Sequence, residues 1–142
     1  MSNSWTISDV KKYGNWYWAW IEYIQKNSHI SFIGKKIFEI GSGAGGVCDL
    51  LKKQGAEVVG SDISRMMINN AKRLIPDVPF VYCDIQKGVS NHSKYDYSIG
   101  FEVLEHIRNP RLGIVNIYKA LKPGGKFVGS SPYPFLKNLV DP

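Results

Sequence analysis

Cysteine is scarce in this chain, acids are outnumbered, and no long apolar run exists; each shortage closes off a class of protein. Two cysteines, Cys48 and Cys83, in 142 residues do not make a disulfide scaffold. Neither has a partner at zinc-ligand spacing, so both read as small buried hydrophobes. There is no apolar stretch of about 18 residues, and Met1-Ser2-Asn3-Ser4-Trp5 lacks the apolar core of a signal peptide. The expectation is therefore a soluble, cytoplasmic protein with no membrane partner. Internal repeats and low-complexity tracts are also missing, so the 142 residues, 44% of them hydrophobic, suit one compact domain. With 12 acids against 18 basic residues the net charge is +6. The basic residues come as scattered pairs, Lys11-Lys12, Lys35-Lys36, Lys52-Lys53 and Lys72-Arg73, at expected element ends or outer helix faces. That is the distribution of a solvated surface, and it argues against a nucleic-acid partner.

What is present centres on Lys36-Ile37-Phe38-Glu39-Ile40-Gly41-Ser42-Gly43-Ala44-Gly45-Gly46. An apolar run bounded by glycine, without polar alternation, is the pattern of a strand buried on both faces, as in a parallel sheet covered by helices. Glycines at its carboxyl end let the backbone turn tightly and approach a ligand, and the following helix start offers unpaired N–H groups. A nucleotide-like cofactor suits that turn. Its spacing is ambiguous: Gly41, Gly43 and Gly46 satisfy the dinucleotide pattern G-x-G-x-x-G, while Gly41, Gly43 and Gly45 satisfy G-x-G-x-G.

Before the glycine turn, residues 8 to 27 predict an amphipathic helix with Tyr13, Trp16, Tyr17, Trp20, Ile21 and Ile24 at three- and four-residue steps. It reads either as an aromatic face packed on the sheet or as a lid, within residues 1–34, lining a pocket. After the turn, Val47, Leu50 and Leu51 give a helix its inner face, with Gly55 at C′. Glu57 to Asp62 is a second buried strand ending on an acid, which stands about 20 residues past the first glycine, where a carboxylate can accept from both ribose hydroxyls. Ser64 caps a helix carrying Met67, Ile68, Ala71, Leu74 and Ile75, stopped by Pro76. Val78 to Asp84 is a third strand, again ending on an acid. Tyr95 to Phe101 is a fourth, followed by a short helical stretch, Glu102 to Ile107. Asn109-Pro110 opens a helix with Ile114, Val115, Tyr118 and Leu121 inside. Lys122-Pro123-Gly124-Gly125 is turn chemistry, and Lys126 to Ser131 the fifth strand. The alternation calls for an α/β fold, a doubly wound parallel sheet with right-handed crossovers, whose acids and glycines fall at the ligand-binding ends of its strands.

Taken in order, Glu39-Ile40-Gly41-Ser42-Gly43-Ala44-Gly45, Asp62, Asp84, Phe101-Glu102-Val103-Leu104-Glu105-His106 and Leu121-Lys122-Pro123-Gly124-Gly125 resemble class I S-adenosylmethionine-dependent methyltransferases, in register from about residue 35 to 131. The resemblance implies a Rossmann-like sheet and S-adenosylmethionine as cofactor, with S-adenosylhomocysteine as product. It also implies contacts: Gly41, Ser42, Gly43, Ala44 and Gly45 under the amino-acid arm, with Glu39 near its ammonium or organising the turn. Asp62 would hold the ribose, Ile63 and Met67 would lie near the adenine, and Asp84 with Ile85 or Cys83 would meet its amine. Phe101 and Glu102 would flank the methionine arm. Asp96, at the start of its strand, is expected to be structural. His106 is the candidate base for an acceptor that carries a proton, its alternative being a buried or capping histidine. Glu102, Glu105 and His106 stand at i, i+3 and i+4; on a helix they would share a face and could converge on a divalent cation. That pattern is similar to metal-assisted O-methyltransferases of quinone biosynthesis and of small-RNA 2′-hydroxyl ends. The metal is an alternative outside the assigned site.

Family members add two strands after the fifth, whereas Pro132-Tyr133-Pro134-Phe135 reads as loop and the chain runs out at Asp141-Pro142. The expectation is a domain truncated at its carboxyl end, with the fifth-strand edge covered by a missing segment or an oligomeric partner. A small-molecule acceptor, most simply a hydroxyl, completes the reading. Two alternatives stand beside it: an NAD-dependent oxidoreductase, on Gly46, and a non-catalytic cofactor-binding module.

Overall fold

A computed structural model describes residues 4–132, and the expected loop at Tyr133-Pro134-Phe135 lies outside the described residues. Helix α1, Ile7–Ser28, starts at a capping box: the Thr6 hydroxyl accepts from the Asp9 N–H while Asp9 accepts from the Thr6 N–H at 2.8 Å. His29 closes it in the left-handed conformation. Strand β1 (Lys36–Ile40), helix α2 (Gly46–Lys53), strand β2 (Glu57–Asp62), helix α3 (Arg65–Leu74) and strand β3 (Phe80–Tyr82) follow. Then come strand β4 (Tyr95–Phe101), helix α4 (Pro110–Ala120) and strand β5 (Leu121–Ser130), with single 3₁₀ turns at Ile85–Lys87 and Leu104–His106. All sheet pairings are parallel, in the order β3-β2-β1-β4-β5. The doubly wound sheet is thus present, with β1 at its centre.

Each face of the sheet has its own core. One gathers Ile37, Val58 and Ile99 against α1, α2 and α3 through Val10, Ile21, Leu51, Ile68 and Ala71. The other packs Phe38, Ile40 and Tyr95 against Ile117 and Ala120 of α4. Ile37, Leu51 and Ile99 are fully buried; each such side chain contributes about 1.5–3 kcal/mol of transfer free energy. Two buried strand hydroxyls are satisfied across the sheet, Ser61 donating to the Glu39 carbonyl at 2.8 Å and Ser98 to that of Phe38 at 3.1 Å. Asp96 ties three strands together by accepting from the Lys36 N–H and the Lys122 ammonium, which hold its carboxyl below the usual range.

Four elements differ from the expectation. On α1 the inward stripe is Val10, Gly14, Tyr17, Ile21 and Ile24, while Tyr13, Trp16 and Trp20 are exposed. The reason is Gly14: a Cβ there would lie 2.8 Å from the Gly46 carbonyl carbon, so the helices meet backbone to backbone and this contact, not the aromatics, fixes the buried face. On α4 the expected inner residues Ile114, Val115 and Tyr118 are exposed, Tyr118 at 77%. Asn116, one residue out of that stripe, instead donates its amide to the carbonyls of Ile85 and Gln86 and turns Gly113, Asn116, Ile117 and Ala120 inward. Strand β3 keeps only three residues. Strand β5 begins earlier than expected, at Leu121, and the Pro123-Gly124-Gly125 turn is an irregularity within it, where the register jumps between Tyr95 and Tyr97. Among the described residues β5 pairs only with β4, so its other edge is uncovered there. No helix among the described residues is long and apolar enough to cross a membrane.

Candidate cofactor and active site

The carboxyl ends of β1, β2 and β4 converge on two adjoining cavities. The smaller, about 180 Å³, is floored by Glu39, Ser42, Ala44 and Val47 and roofed by Trp5, Tyr13 and Tyr17 from α1 and its approach. The larger, about 350 Å³, is lined by Asp62, Ile63, Cys83, Asp84, Ile85, Gln86, Glu102, Val103, His106 and Ile107. Tyr17, Gly41 and Phe101 border both, with the two rings stacked at 5.3 Å and 12°. An elongated ligand laid across Gly41 would reach both chambers.

The glycine turn is shaped by its neighbours. Gly41, Gly43 and Gly45 all have positive φ (69°, 53° and 91°), which only glycine adopts at low cost. The Ser42 N–H donates to the Ser61 carbonyl at 2.8 Å and that of Gly43 to Asp62 Oδ2 at 3.0 Å. Asp62 Oδ1 accepts from the Ser64 N–H at 2.8 Å. Asp62 thus braces the turns after β1 and β2 at once, and a carboxylate's four lone-pair sites leave capacity for hydroxyls from a ligand. Asp84 spends Oδ1 on the Gln86 N–H, its own cap. The Ser42 hydroxyl is buried beside the smaller cavity with no partner among the described residues, an acceptor and donor left for something that fills it.

Electrostatically the floor is unusual. Glu39 is buried, and burial pushes its carboxyl up to about 7; the hydrogen bond from the Cys48 thiol, 2.7 Å from Oε2, opposes that rise and the Asp62 charge adds to it. Burial also pushes the Tyr17 phenol up, with Glu102 and Glu105 adding to it.

Most of the sequence-predicted positions come together here: Glu39, Gly41, Ser42, Gly43 and Ala44 at the smaller cavity, Asp62, Ile63, Cys83, Asp84, Ile85, Glu102 and His106 at the larger, and Phe101 at both. Gly45 and Met67 line neither. Gly45 is the N-cap of α2, with the Phe80 ring 2.6 Å from where its Cβ would be, and Met67 packs over Gly43. Gly46 borders the smaller cavity, but its Cβ position is already filled by the Val10 carbonyl oxygen at 2.5 Å, so its glycine serves helix packing. The helical face expected of Glu102, Glu105 and His106 does not form. Glu102 has φ of 50°, residues 104–106 make only a 3₁₀ turn, and the two carboxylates accept from the Ser130 and Ser131 hydroxyls at 2.6 and 2.8 Å. Among the described residues no three His, Cys, Asp or Glu side chains gather as metal ligands. Sequence reasoning missed Gln86 and Val103, whose only sequence signal is adjacency to Ile85 and Glu102.

A parallel sheet of this order, with a glycine turn after its central strand and acids after the next two, defines the class I S-adenosylmethionine-dependent methyltransferase fold. The comparisons agree. A family model described as a methyltransferase domain matches residues 16–139, and the chain belongs to that family. It is 30% identical over 115 residues to a ubiquinone biosynthesis O-methyltransferase of Coxiella burnetii, covering 78% of this chain and 48% of that protein. It is 33% identical over 112 residues to one of Proteus mirabilis, covering 74% and 44%. Among solved structures it is similar to an S-adenosylmethionine-dependent methyltransferase of Mesorhizobium loti (TM-score 0.74, 25% identity, covering 83% of this chain and 54% of that one). It is also similar to the methyltransferase CalH in complex with S-adenosylhomocysteine (TM-score 0.61, 25% identity, covering 75% and 35%). The chain spans about half the length of the curated relatives it matches.

Proposed function

We propose that this chain carries the cofactor site of a methyltransferase that moves a methyl group from S-adenosylmethionine to a hydroxyl of a small-molecule acceptor. The observation that supports it best is the pair of chambers meeting at Gly41, Tyr17 and Phe101, with an unpartnered buried hydroxyl and a carboxylate in one and the Asp62 and Asp84 carboxylates in the other. When bound, S-adenosylmethionine supplies a methyl group on a sulfonium whose departure needs no acid. Glu39, Ser42, Gly43 and Ala44 would hold its amino-acid arm, and Asp62 its ribose. Ile63, Cys83, Asp84 and Ile85 would surround its base, while Phe101 and Glu102 flank the passage between. What the protein must then provide is orientation of the acceptor and a place for its proton. His106 borders the larger chamber and is the side chain there suited to take that proton. An oxygen acceptor is supported by the O-methyltransferase names of the relatives.

Titration calorimetry with S-adenosylhomocysteine tests the cofactor reading: micromolar or tighter binding is expected, and preference for NAD would overturn it. Radiolabelled methyl transfer by the full-length protein to phenols and catechols, compared with amines, tests the acceptor. Cofactor binding with no transfer to any acceptor would leave the non-catalytic module instead.

A further inference from the structure

Glu39 combines two facts that rarely coincide: it is a carboxyl group at 4% exposure, and it faces a cavity. Its only side-chain hydrogen bond among the described residues comes from Cys48 on α2, itself fully buried. Burial also pushes the Cys48 thiol well up, so at neutral pH it remains a thiol and can only donate to that oxygen. The other titratable groups facing Glu39 are Asp62 from the end of β2 and Tyr17 and Tyr13 from α1; β4 offers the apolar ring of Phe101. No cation answers the carboxyl among these neighbours. Beside it, also on the smaller cavity, waits the Ser42 hydroxyl, unpartnered among the described residues. A carboxyl whose hydrogen bonding comes from Cys48 alone, through its thiol and its backbone N–H, next to an idle hydroxyl and open to a small cavity, is complementary to a compact cation with several N–H donors, which is an ammonium group.

We propose that Cys48 is a positioning residue whose thiol aims the Glu39 carboxylate, beside the Ser42 hydroxyl, at the cofactor's ammonium, and that forming this ion pair expels the Glu39 proton to solvent. The proposal rests on the placement of the amino-acid arm in the smaller cavity given above. The proton balance is simple: the ammonium keeps its protons, and the carboxyl gives up the one it holds when the cavity carries no cation. With the carboxyl titrating at about 7 before binding and lower once paired, affinity rises with pH up to about 7 and then levels. The ligand's own amine stays an ammonium throughout that rise and does not mask it, so the informative window is pH 5.5 to 7.5.

The test is calorimetric titration of the chain with S-adenosylhomocysteine at pH 6.5 in buffers of different ionisation enthalpy, which counts protons released. Wild type is expected to release roughly three-quarters of a proton, the protonated share of a group titrating at about 7. Glu39→Gln should release none and bind with little pH dependence across the window. Cys48→Ala should bind about tenfold more weakly at pH 6.5, with its affinity midpoint moved to higher pH because a hydrogen bond to the charged form is gone. Cys48→Ser, which keeps a donor, should restore the wild-type profile. Equal proton release in wild type and Glu39→Gln would overturn the proposal, as would an unmoved midpoint in Cys48→Ala. Should Cys48→Ala fail to fold, the Glu39→Gln count and the Cys48→Ser profile decide alone. Absence of binding by wild type would overturn the cofactor reading along with this one, whereas tight binding without proton release removes only this one.

Discussion

Glu39 also sets a stability dependence that needs no ligand. Its folded-state value of about 7 stands above the ordinary 4.5, so the folded chain holds this proton more tightly than the unfolded chain does. The associated stability is present below pH 4.5 and lost as pH rises through 7, a difference on the order of 3 kcal/mol. Glu39→Gln should therefore gain on wild type between pH 5 and 8 in urea unfolding; parallel curves for the two proteins would refute the buried-acid account. Asp62 acts through its hydrogen bonds. Because it holds the N–H groups of Gly43 and Ser64, Asp62→Ala should both lower the melting temperature and weaken S-adenosylhomocysteine binding tenfold or more, each charge-assisted bond being worth about 1.5–3 kcal/mol. Asp62→Asn retains an acceptor and should lose less of both. A third residue, Glu102, sits at φ of 50°, a conformation that costs a non-glycine residue about 1–3 kcal/mol. Ser130 holds it there, and Ser130→Ala should perturb cofactor binding although Ser130 itself borders neither chamber.

At the level of elements, the contact of α1 with α2 decides how the cavity is roofed. A methyl group at Gly14 or Gly46 would fall 2.8 or 2.5 Å from backbone atoms of the other segment, which cannot yield as a flexible side chain does. Gly46→Ala should cost more than the ~1–3 kcal/mol of ordinary overpacking, seen as a lowered melting temperature. It should also loosen Tyr17 from Phe101. The exposed face of α4 gives the contrasting case: Tyr118→Ser should change stability of this chain by no more than about 0.5 kcal/mol. These two helices also show what could be read from sequence. Strands β1, β2 and β4, the Ser64 and Asn109 caps and the glycine turn are legible because each is a local rule: apolar run, cap residue, positive φ. The rotations of α1 and α4 are not, because a glycine contact and a single buried amide outweigh the side chains that dominate a hydrophobic pattern. For the same reason the spacing of Glu102, Glu105 and His106 suggests a helical face that does not form, since that loop is held by the hydroxyls of Ser130 and Ser131, more than two dozen residues later.

For the whole molecule, the site is assembled from the ends of four strands and one helix that sequence order keeps apart. Its cofactor half was visible because the residues that form it follow their strands directly. The rest of the larger chamber, around Gln86, Val103 and Ile107, was not, since these residues lie on loops whose shape no local pattern sets. The place of β1 between β2 and β4 has a kinetic consequence. Pairing β1 with β2 closes a loop of about twenty residues, whereas pairing β1 with β4 must close one of sixty, Phe38 lying opposite both Val59 and Ser98. The entropic cost of ordering the chain grows with that separation. The β1-α2-β2 unit is therefore expected to be structured in the folding transition state, and the β4-β5 half to dock on it afterwards. Truncating Val58 to alanine should slow refolding, while truncating Val128 should mainly speed unfolding; the reverse partition in stopped-flow kinetics would place the nucleus on the other side of the central strand.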